Sequence, residues 1–360
     1  MRCVQVHSLW GIVQLPKARY KCQSCKTQYT TFQDPNLDES GCTPLVLERA
    51  EHLSLLLPYQ ITTRVLHEWG VNLSSSLLSK LSQQLERTEQ ALTQARLQEL
   101  ARQPLLKSLL PSRVWMIEID GMFVLTHASS ESPIGTEPTA VWREVKTVVL
   151  YRKDTPSDRY QISTLQGVQD FAPLVHGLLR FAGLSAQDVL IGLADGAVWI
   201  AELFADLGVY RHVLDVFHAS QYLETIMVAL DWSDDQRLEH RRAWLRGEVD
   251  GLVWLNWHVR PEQSARFDEV TQKAFGYLNR QAFLGRLAYP AFKREGFEVI
   301  GSGQIEGANK SVLAARLRVS GAIWSEVGAD AKAFARGLWA SRRRVVEFDQ
   351  VRLTAFPRAA

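Results

Sequence analysis

Long apolar runs are missing from this 360-residue chain. With no stretch of about eighteen consecutive apolar residues, a membrane-spanning helix is not expected. The opening residues, Met1 to His7, lack the apolar core of an export signal. Cysteine is scarce, and all four residues (Cys3, Cys22, Cys25 and Cys42) fall early in the chain. No disulfide framework can therefore brace the bulk of the chain. In a reducing compartment, metal binding is favoured over disulfides, with ordinary buried thiols as the plain alternative. Net charge is also nearly absent, because 41 Lys and Arg stand against 39 Asp and Glu, leaving +2. The whole molecule does not announce a nucleic-acid partner, so its basic residues must be read by position. Internal repeats and low-complexity tracts are absent too.

What is present suits a folded protein of two or three domains, with 46% hydrophobic residues available for a core. Residues 1–43 alternate apolar and polar at strand period, with Cys22-Gln-Ser-Cys25 in a tight turn and a polar loop over 34–43. Residues 44–111 read as helices: 44–57, stopped by Pro58; 60–69, stopped by Gly70; and a long helix over 75–101, capped by Asn72 or Ser74. From 112 to 218 short apolar strands alternate with helices. The strands are Val114–Asp120, with Met122–Thr126 compatible with its continuation, then Val145–Tyr151, Val189–Asp195 and Arg211–Val216. Helices lie over 171–182 and 199–207. Residues 219–300 form a Trp- and Arg-rich helical block. Gly301-Ser-Gly303 then opens a helix carrying Glu306 and Lys310, and a last helix runs from about 326 to 344. The pattern predicts an α/β fold with a mixed sheet and helices on its faces.

Asp120 and Asp195 each follow a buried apolar run, and each precedes glycine. A carboxylate there is costly unless it is paired or coordinated. Open α/β sheets gather ligands at the carboxyl ends of their strands. Glu306, near a helix start after Gly-Ser-Gly, is placed to join them. Three hard oxygen ligands suit Mg²⁺ or Mn²⁺, and such clusters serve phosphoryl transfer. The bland alternative is two Asp-Gly turns and a helix-capping glutamate.

Ile119-Asp120-Gly121, Arg143-Glu-Val-Lys146, Ala194-Asp195-Gly-Ala-Val-Trp-Ile200, Leu214-Asp215-Val-Phe-His218-Ala219, Gly301-Ser-Gly-Gln-Ile-Glu306-Gly-Ala-Asn-Lys310 and Arg316-Leu-Arg318-Val-Ser-Gly-Ala-Ile-Trp324 occur in that order. The set resembles the bacterial insertion-sequence transposases of the Kra group (ISKra type), relatives of the Mutator transposases, over roughly residues 1 to 340. The resemblance implies an RNase H-like catalytic domain over 112–218 and 301–345, interrupted by a helical insertion over 219–300. It also implies Asp120, Asp195 and Glu306 as the catalytic metal ligands, with Asp215 and His218 beside the site. Double-stranded DNA is the implied partner, both terminal inverted repeats and target, with a homo-oligomer assembled on it. The implied location is cytoplasmic, at the bacterial nucleoid.

Beside that resemblance, Lys310 reads either as an i,i+4 partner of Glu306 or as a phosphate contact. Arg316 and Arg318 divide between a solvated face and the DNA backbone, and the Arg342–Arg344 run reads as a solvated helix end. His218 alone would be a satisfied core residue. The helices at 59–69 and 75–101 have helix-turn-helix spacing, with Asn72, Ser74, Ser76 and Lys80 on the surface facing DNA. Cys22 and Cys25 form half of a Zn²⁺ ribbon that needs two more ligands. Cys3, His7 or Cys42 could supply them, and a damaged ribbon is the competing account. The leading function is cut-and-paste DNA transposition. The alternatives are a catalytically inactive or truncated transposase-derived DNA-binding protein, and a nuclease that cuts without joining.

Overall fold

The structure is a computed structural model and describes residues 2–17, 19–30, 40–127 and 140–357. Most of the polar loop read at 34–43 lies outside these, as does the side chain of Cys3. Two antiparallel ribbons come first: β1 (Arg2–Ser8) with β2 (Gly11–Lys17), and β3 (Arg19–Lys21) with β4 (Gln28–Thr30). Three helices follow, α1 (Pro44–Leu56), α2 (Tyr59–Glu68) and α3 (Ser75–Ala101). Gly70, at φ 77°, ends α2 in the left-handed conformation glycine tolerates. The Ser74 hydroxyl accepts from Leu77 N at 3.2 Å and caps α3.

The centre is β5 (Val114–His127), β6 (Ala140–Arg152), β7 (Thr155–Thr164), α4 (Val168–Ala182), β8 (Val189–Ala194), α5 (Val198–Asp206) and β9 (Arg211–Leu214). These strands form one five-stranded sheet in the order β7-β6-β5-β8-β9. The first three are an antiparallel meander, while β8 and β9 run parallel to β5. This mixed sheet flanked by helices is compatible with an RNase H-like fold. The expected block follows as α6 (Val216–Ala229), α7 (Asp234–Leu245), α8 (Gly251–His258), α9 (Pro261–Ser264), α10 (Glu269–Phe283) and α11 (Tyr289–Arg294). Then α12 (Gly303–Gly307) passes through a π-helical stretch, Ala308–Ala314, into α13 (Ala315–Leu317). The chain ends in α14 (Glu326–Trp339) and α15 (Phe348–Ala355).

Both sheet faces are covered, which explains strands that read as apolar runs rather than alternations. On one face Met116, Val149, Ile191 and Val213 pack with Trp244, Trp254, Leu278 and Tyr289 of the helical block. On the other, Ile117, Ile119, Leu150 and Ala194 pack with Phe171, Phe204 and Phe334, and with Leu97 of α3. The amino-terminal half of α3 belongs to a separate cluster with α1, α2 and α15. At the crossing of α3 and α4, a Cβ on Gly177 would lie 2.1 Å from Leu97 O, so the two backbones nearly touch.

Several expectations change. β6 begins at Ala140 rather than Val145 and β7 carried no clear period in the sequence, while β5 runs on through Asp120 as the Met122–Thr126 run allowed. The last long helix stops at Trp339 rather than near residue 344. Arg316 does not lie on a solvated face. It is buried, with its guanidinium 4.9 Å from the Trp324 ring centroid and 5.4 Å from that of Tyr59. Of the arginine run, Arg342 and Arg343 are exposed as a solvated end requires, and Arg344 is not. Arg342 pairs with Asp158 at 2.8 Å, and Arg344 reaches Glu51 at 3.1 Å and Glu89 at 3.2 Å. Lys332 and Glu86 form a fully buried ion pair nearby. Isolated charges cannot be buried so deeply, so Lys332 ties α14 to α3, and Arg344, beyond the end of α14, ties the chain to α1 and α3 by mutual compensation.

Candidate functional site

The parallel ladder between β5 and β8 ends on the pair Ile119↔Ala194. The next residue on each strand is an aspartate, Asp120 and Asp195, so the two acids leave neighbouring strands at the same level. Side chains alternate across a sheet, so both project to the face of Glu118 and Leu193. The parallel part ends here although β5 continues, so Asp120 occupies a carboxyl-end position inside a strand. Asp120 Oδ1 accepts from Gly121 N at 2.8 Å, and Asp195 Oδ1 accepts from Ala197 N at 3.1 Å. Burial raises the Asp120 pKa, and the Asp195 charge raises it further, against hydrogen bonds from Gly121 and Asn309 and the charge of His218.

The glycines after the aspartates answer to close approach rather than to turns. A Cβ on Gly121 would lie 2.3 Å from Glu144 Oε1, and one on Gly196 would lie 2.2 Å from Gln281 Nε2. Gly196 N donates to the Tyr277 hydroxyl at 2.9 Å. Helix α10 of the helical block therefore packs directly on the Asp195 turn.

The α12–α13 segment lies over the same end of the sheet, where Val312, Leu313 and Leu317 pack on Met122, Val124 and Val145. Asn309 fastens it to the acids: Nδ2 donates to Asp120 Oδ2 at 2.7 Å, while the buried Oδ1 has no partner. Glu306 is one turn earlier on that helical face. Its carboxylate is exposed and meets Lys310 Nζ at 2.5 Å, the i,i+4 pair read from the sequence. Consequently no three His, Cys, Asp or Glu side chains gather closely enough to hold an ion among the described residues. An exposed i,i+4 pair is worth only about 0.5 kcal/mol, so it does not hold Glu306 away from a stronger partner.

Asp215 is buried, and both its oxygens are used. Oδ1 accepts from His218 N at 2.8 Å, and Oδ2 accepts from Ser302 N at 2.6 Å and from the Ser302 hydroxyl. Burial alone would raise its pKa, but these donors outweigh it and bring it to about 2. Asp215 thus ties the Ser302 loop to the start of α6. His218 Nδ1 lies 3.3 Å from Asp215 Oδ1, an ion-pair distance without hydrogen-bond alignment. That carboxylate raises the His218 pKa against desolvation, and Asp120 and Asp195 add to the rise.

Sequence reasoning missed Glu118 and Asn309. Glu118 is fully buried two residues before Asp120; Oε1 accepts from the Tyr151 hydroxyl at 2.5 Å and Oε2 from Ile305 N at 2.8 Å. Burial lifts its pKa to about 7 against those hydrogen bonds. A charged residue inside an otherwise apolar strand was the signal available.

Of the expected DNA contacts, Lys310, Arg318 and Lys80 are exposed, and Arg318 Nε donates to Phe123 O at 2.6 Å. Cys22 and Cys25 occupy the β3–β4 turn, where Lys26 N donates to Cys22 O at 3.0 Å. Hydrogen bonds from Cys25 and Ser24 lower the Cys22 thiol to about 7. Cys42 is buried in the helical cluster, beside His7, and no third ligand joins the turn among the described residues.

No protein-family model matches this chain, and no curated protein matches it. Among solved structures it is similar to the crystal structure of the Mos1 strand transfer complex, at 12% identity over 72% of this chain and 81% of that one. The TM-score is 0.17, a likeness too slight to support any conclusion about fold or function. No helix among the described residues is long and apolar enough to cross a membrane.

Proposed function

We propose that this protein is a DNA transposase of the DDE kind, cutting and joining DNA at the ends of an insertion sequence through Mg²⁺ or Mn²⁺ held by Asp120, Asp195 and Glu306. One observation carries the reading. The Ile119↔Ala194 register sets the two aspartates side by side on one sheet face, and Asn309 binds the helix of Glu306 to Asp120. The donor set fits a hard divalent cation: carboxylate oxygens, with the unpartnered Asn309 Oδ1 beside them. When bound, such ions activate a water or 3′-hydroxyl and stabilise the leaving oxygen.

The protein's own residues do the rest. Asp120 and Asp195 repel each other in the ion-free state, so a cation relieves the site. Glu306 gives up Lys310 to reach the pair, which frees Lys310 for a phosphate. His218, its proton held by the surrounding carboxylates, offers a cation to a phosphate oxygen. Arg318 and Lys80 are exposed contacts for the DNA backbone, with a homo-oligomer pairing two DNA ends. Cys22 and Cys25 form a Zn²⁺ half-site that needs two further ligands.

The test is cleavage and strand transfer on labelled element ends with Mn²⁺. Joined products support transposition. Cutting without joining identifies a nuclease, and binding without cutting identifies a DNA-binding relic.

A further inference from the structure

The Glu306 helix begins over the sheet with its first backbone N–H groups lacking intrahelical partners. One of them, Ile305 N, donates to Glu118 Oε2 at 2.8 Å. Glu118 belongs to β5, on the face and strand of Asp120, and its other oxygen takes the Tyr151 hydroxyl at 2.5 Å. It is completely buried. A burial so costly to an acid has a return only if the acid fixes something. What it fixes is the residue preceding Glu306. The same side chain therefore links, through two backbone positions, the strand that carries one acid and the helix that carries another.

We propose that Glu118 is a positioning residue: as a buried hydrogen-bond acceptor on β5, it sets where the Glu306 helix starts relative to Asp120. The proposal rests on the metal-site reading above and goes beyond it. Glu118 itself touches neither ion nor DNA. Its work is geometric, so the acceptor matters and the negative charge does not. Asp215 holds the other side of the same loop through Ser302, so the helix start is gripped by two buried carboxylates, and Glu118 is the one nearer Glu306.

Geometry and charge separate by substitution. Glu118→Gln keeps an oxygen for Ile305 N and an amide for the Tyr151 oxygen. Glu118→Leu with Tyr151→Phe removes the carboxylate together with the hydroxyl that would lose its acceptor, puts apolar groups of similar size in their place, and leaves Ile305 N as the one group without its partner. Two readouts apply to each full-length protein: hydrogen exchange at the Ile305 amide without metal, and Mn²⁺ affinity by titration calorimetry. The Gln variant is expected to match the parent in both. The double variant is expected to expose the Ile305 amide and to lose about tenfold or more in Mn²⁺ affinity, the usual cost of removing a support of metal ligands.

An unchanged amide in the double variant overturns the proposal. So does a Gln variant that loses Mn²⁺ affinity, because charge would then be what counts. If the double variant fails to fold, a loss of Mn²⁺ affinity or of Ile305 amide protection in the Gln variant still overturns the proposal. If the parent binds no Mn²⁺, the metal-site reading fails, and amide exchange still decides whether Glu118 positions the helix.

Discussion

Asn309 Nδ2 donates a 2.7 Å hydrogen bond to Asp120 Oδ2, bridging the helix of Glu306 and the longest strand of the sheet across 189 residues of chain. Hydrogen bonds to ionised groups are the stronger kind, at about 1.5–3 kcal/mol. Asn309→Ala should accordingly loosen the helix over Asp120. The expected result is about a tenfold loss of Mn²⁺ affinity, with the unfolding temperature lowered only by what the lost hydrogen bond contributes, because Val312, Leu313 and Leu317 still pack below. Calorimetric titration beside a melting curve checks it; unchanged affinity shows that the tether is no part of the site.

A second prediction concerns the crossing of α3 and α4. Ala in place of a helical Gly ordinarily stabilises by about 0.5–1 kcal/mol. At Gly177 the added Cβ would meet Leu97 O at 2.1 Å, and that oxygen is backbone in a neighbouring helix. Overpacking of this sort costs about 1–3 kcal/mol, so the clash wins and the sign reverses. Gly177→Ala should lower the urea midpoint, and a rise would show that the helices do not cross so closely.

The buried ionic network gives a pH prediction. Burial and the Glu51 charge push the Glu89 pKa up to about 8, against about 4.3 in the unfolded chain. A raised carboxyl stabilises the fold fully below about pH 4 and loses that contribution as pH rises through about 8. The parent should therefore lose stability as pH rises from about 4 toward 8. Glu89→Gln removes one titrating proton and should flatten the decline by up to about 1.4 kcal/mol per pH unit. Denaturant unfolding at several pH values measures it; identical slopes in parent and variant would contradict the assignment.

How far the sequence could be read depends on what each signal needed. The runs Val114–Asp120 and Val189–Asp195 were plain because sheets covered on both faces keep apolar residues at every position. β7 was not, since Thr155-Pro-Ser-Asp-Arg begins on the exposed end of an edge strand and its apolar residues come late. Asp120 and Asp195 could be paired by motif, but their common level needed the register of the ladder. Arg316 misled for a related reason: sequence shows a basic residue near others and cannot show the rings of Tyr59 and Trp324 around it. Glu118 and Asn309 are partners of a backbone amide and of a carboxylate far away in the chain, and no local pattern records such a partner.

The final prediction tests the proposed activity at its ligands. Asp120→Asn, Asp195→Asn and Glu306→Gln should each abolish metal-dependent cleavage while leaving fold and end-binding intact. Each substitution keeps the shape and removes one negative charge, so the cation loses affinity and charge developing on the leaving oxygen is poorly compensated. Losing stabilisation of that kind costs several kcal/mol, about a thousandfold or more in rate. Stability should move the other way for Asp120→Asn, because burial and Asp195 already raise the Asp120 pKa in the ion-free protein, and an uncharged side chain escapes both penalties. The amide can keep an oxygen toward Gly121 N, which now donates at 2.8 Å, and its NH2 then faces Asn309, whose amide must turn over so that the unpartnered Oδ1 accepts in place of the present Nδ2 donation. Glu306→Gln gives up only the exposed contact with Lys310, so its unfolding curve should overlay the parent's. Activity and stability thus part company: a variant that is dead in Mn²⁺ yet equally or more stable, and that still shifts labelled DNA ends, is the signature of a lost metal ligand. If one of the three cuts at close to the parental rate, that residue does not hold the ion, and the triad must be redrawn around the acids that remain.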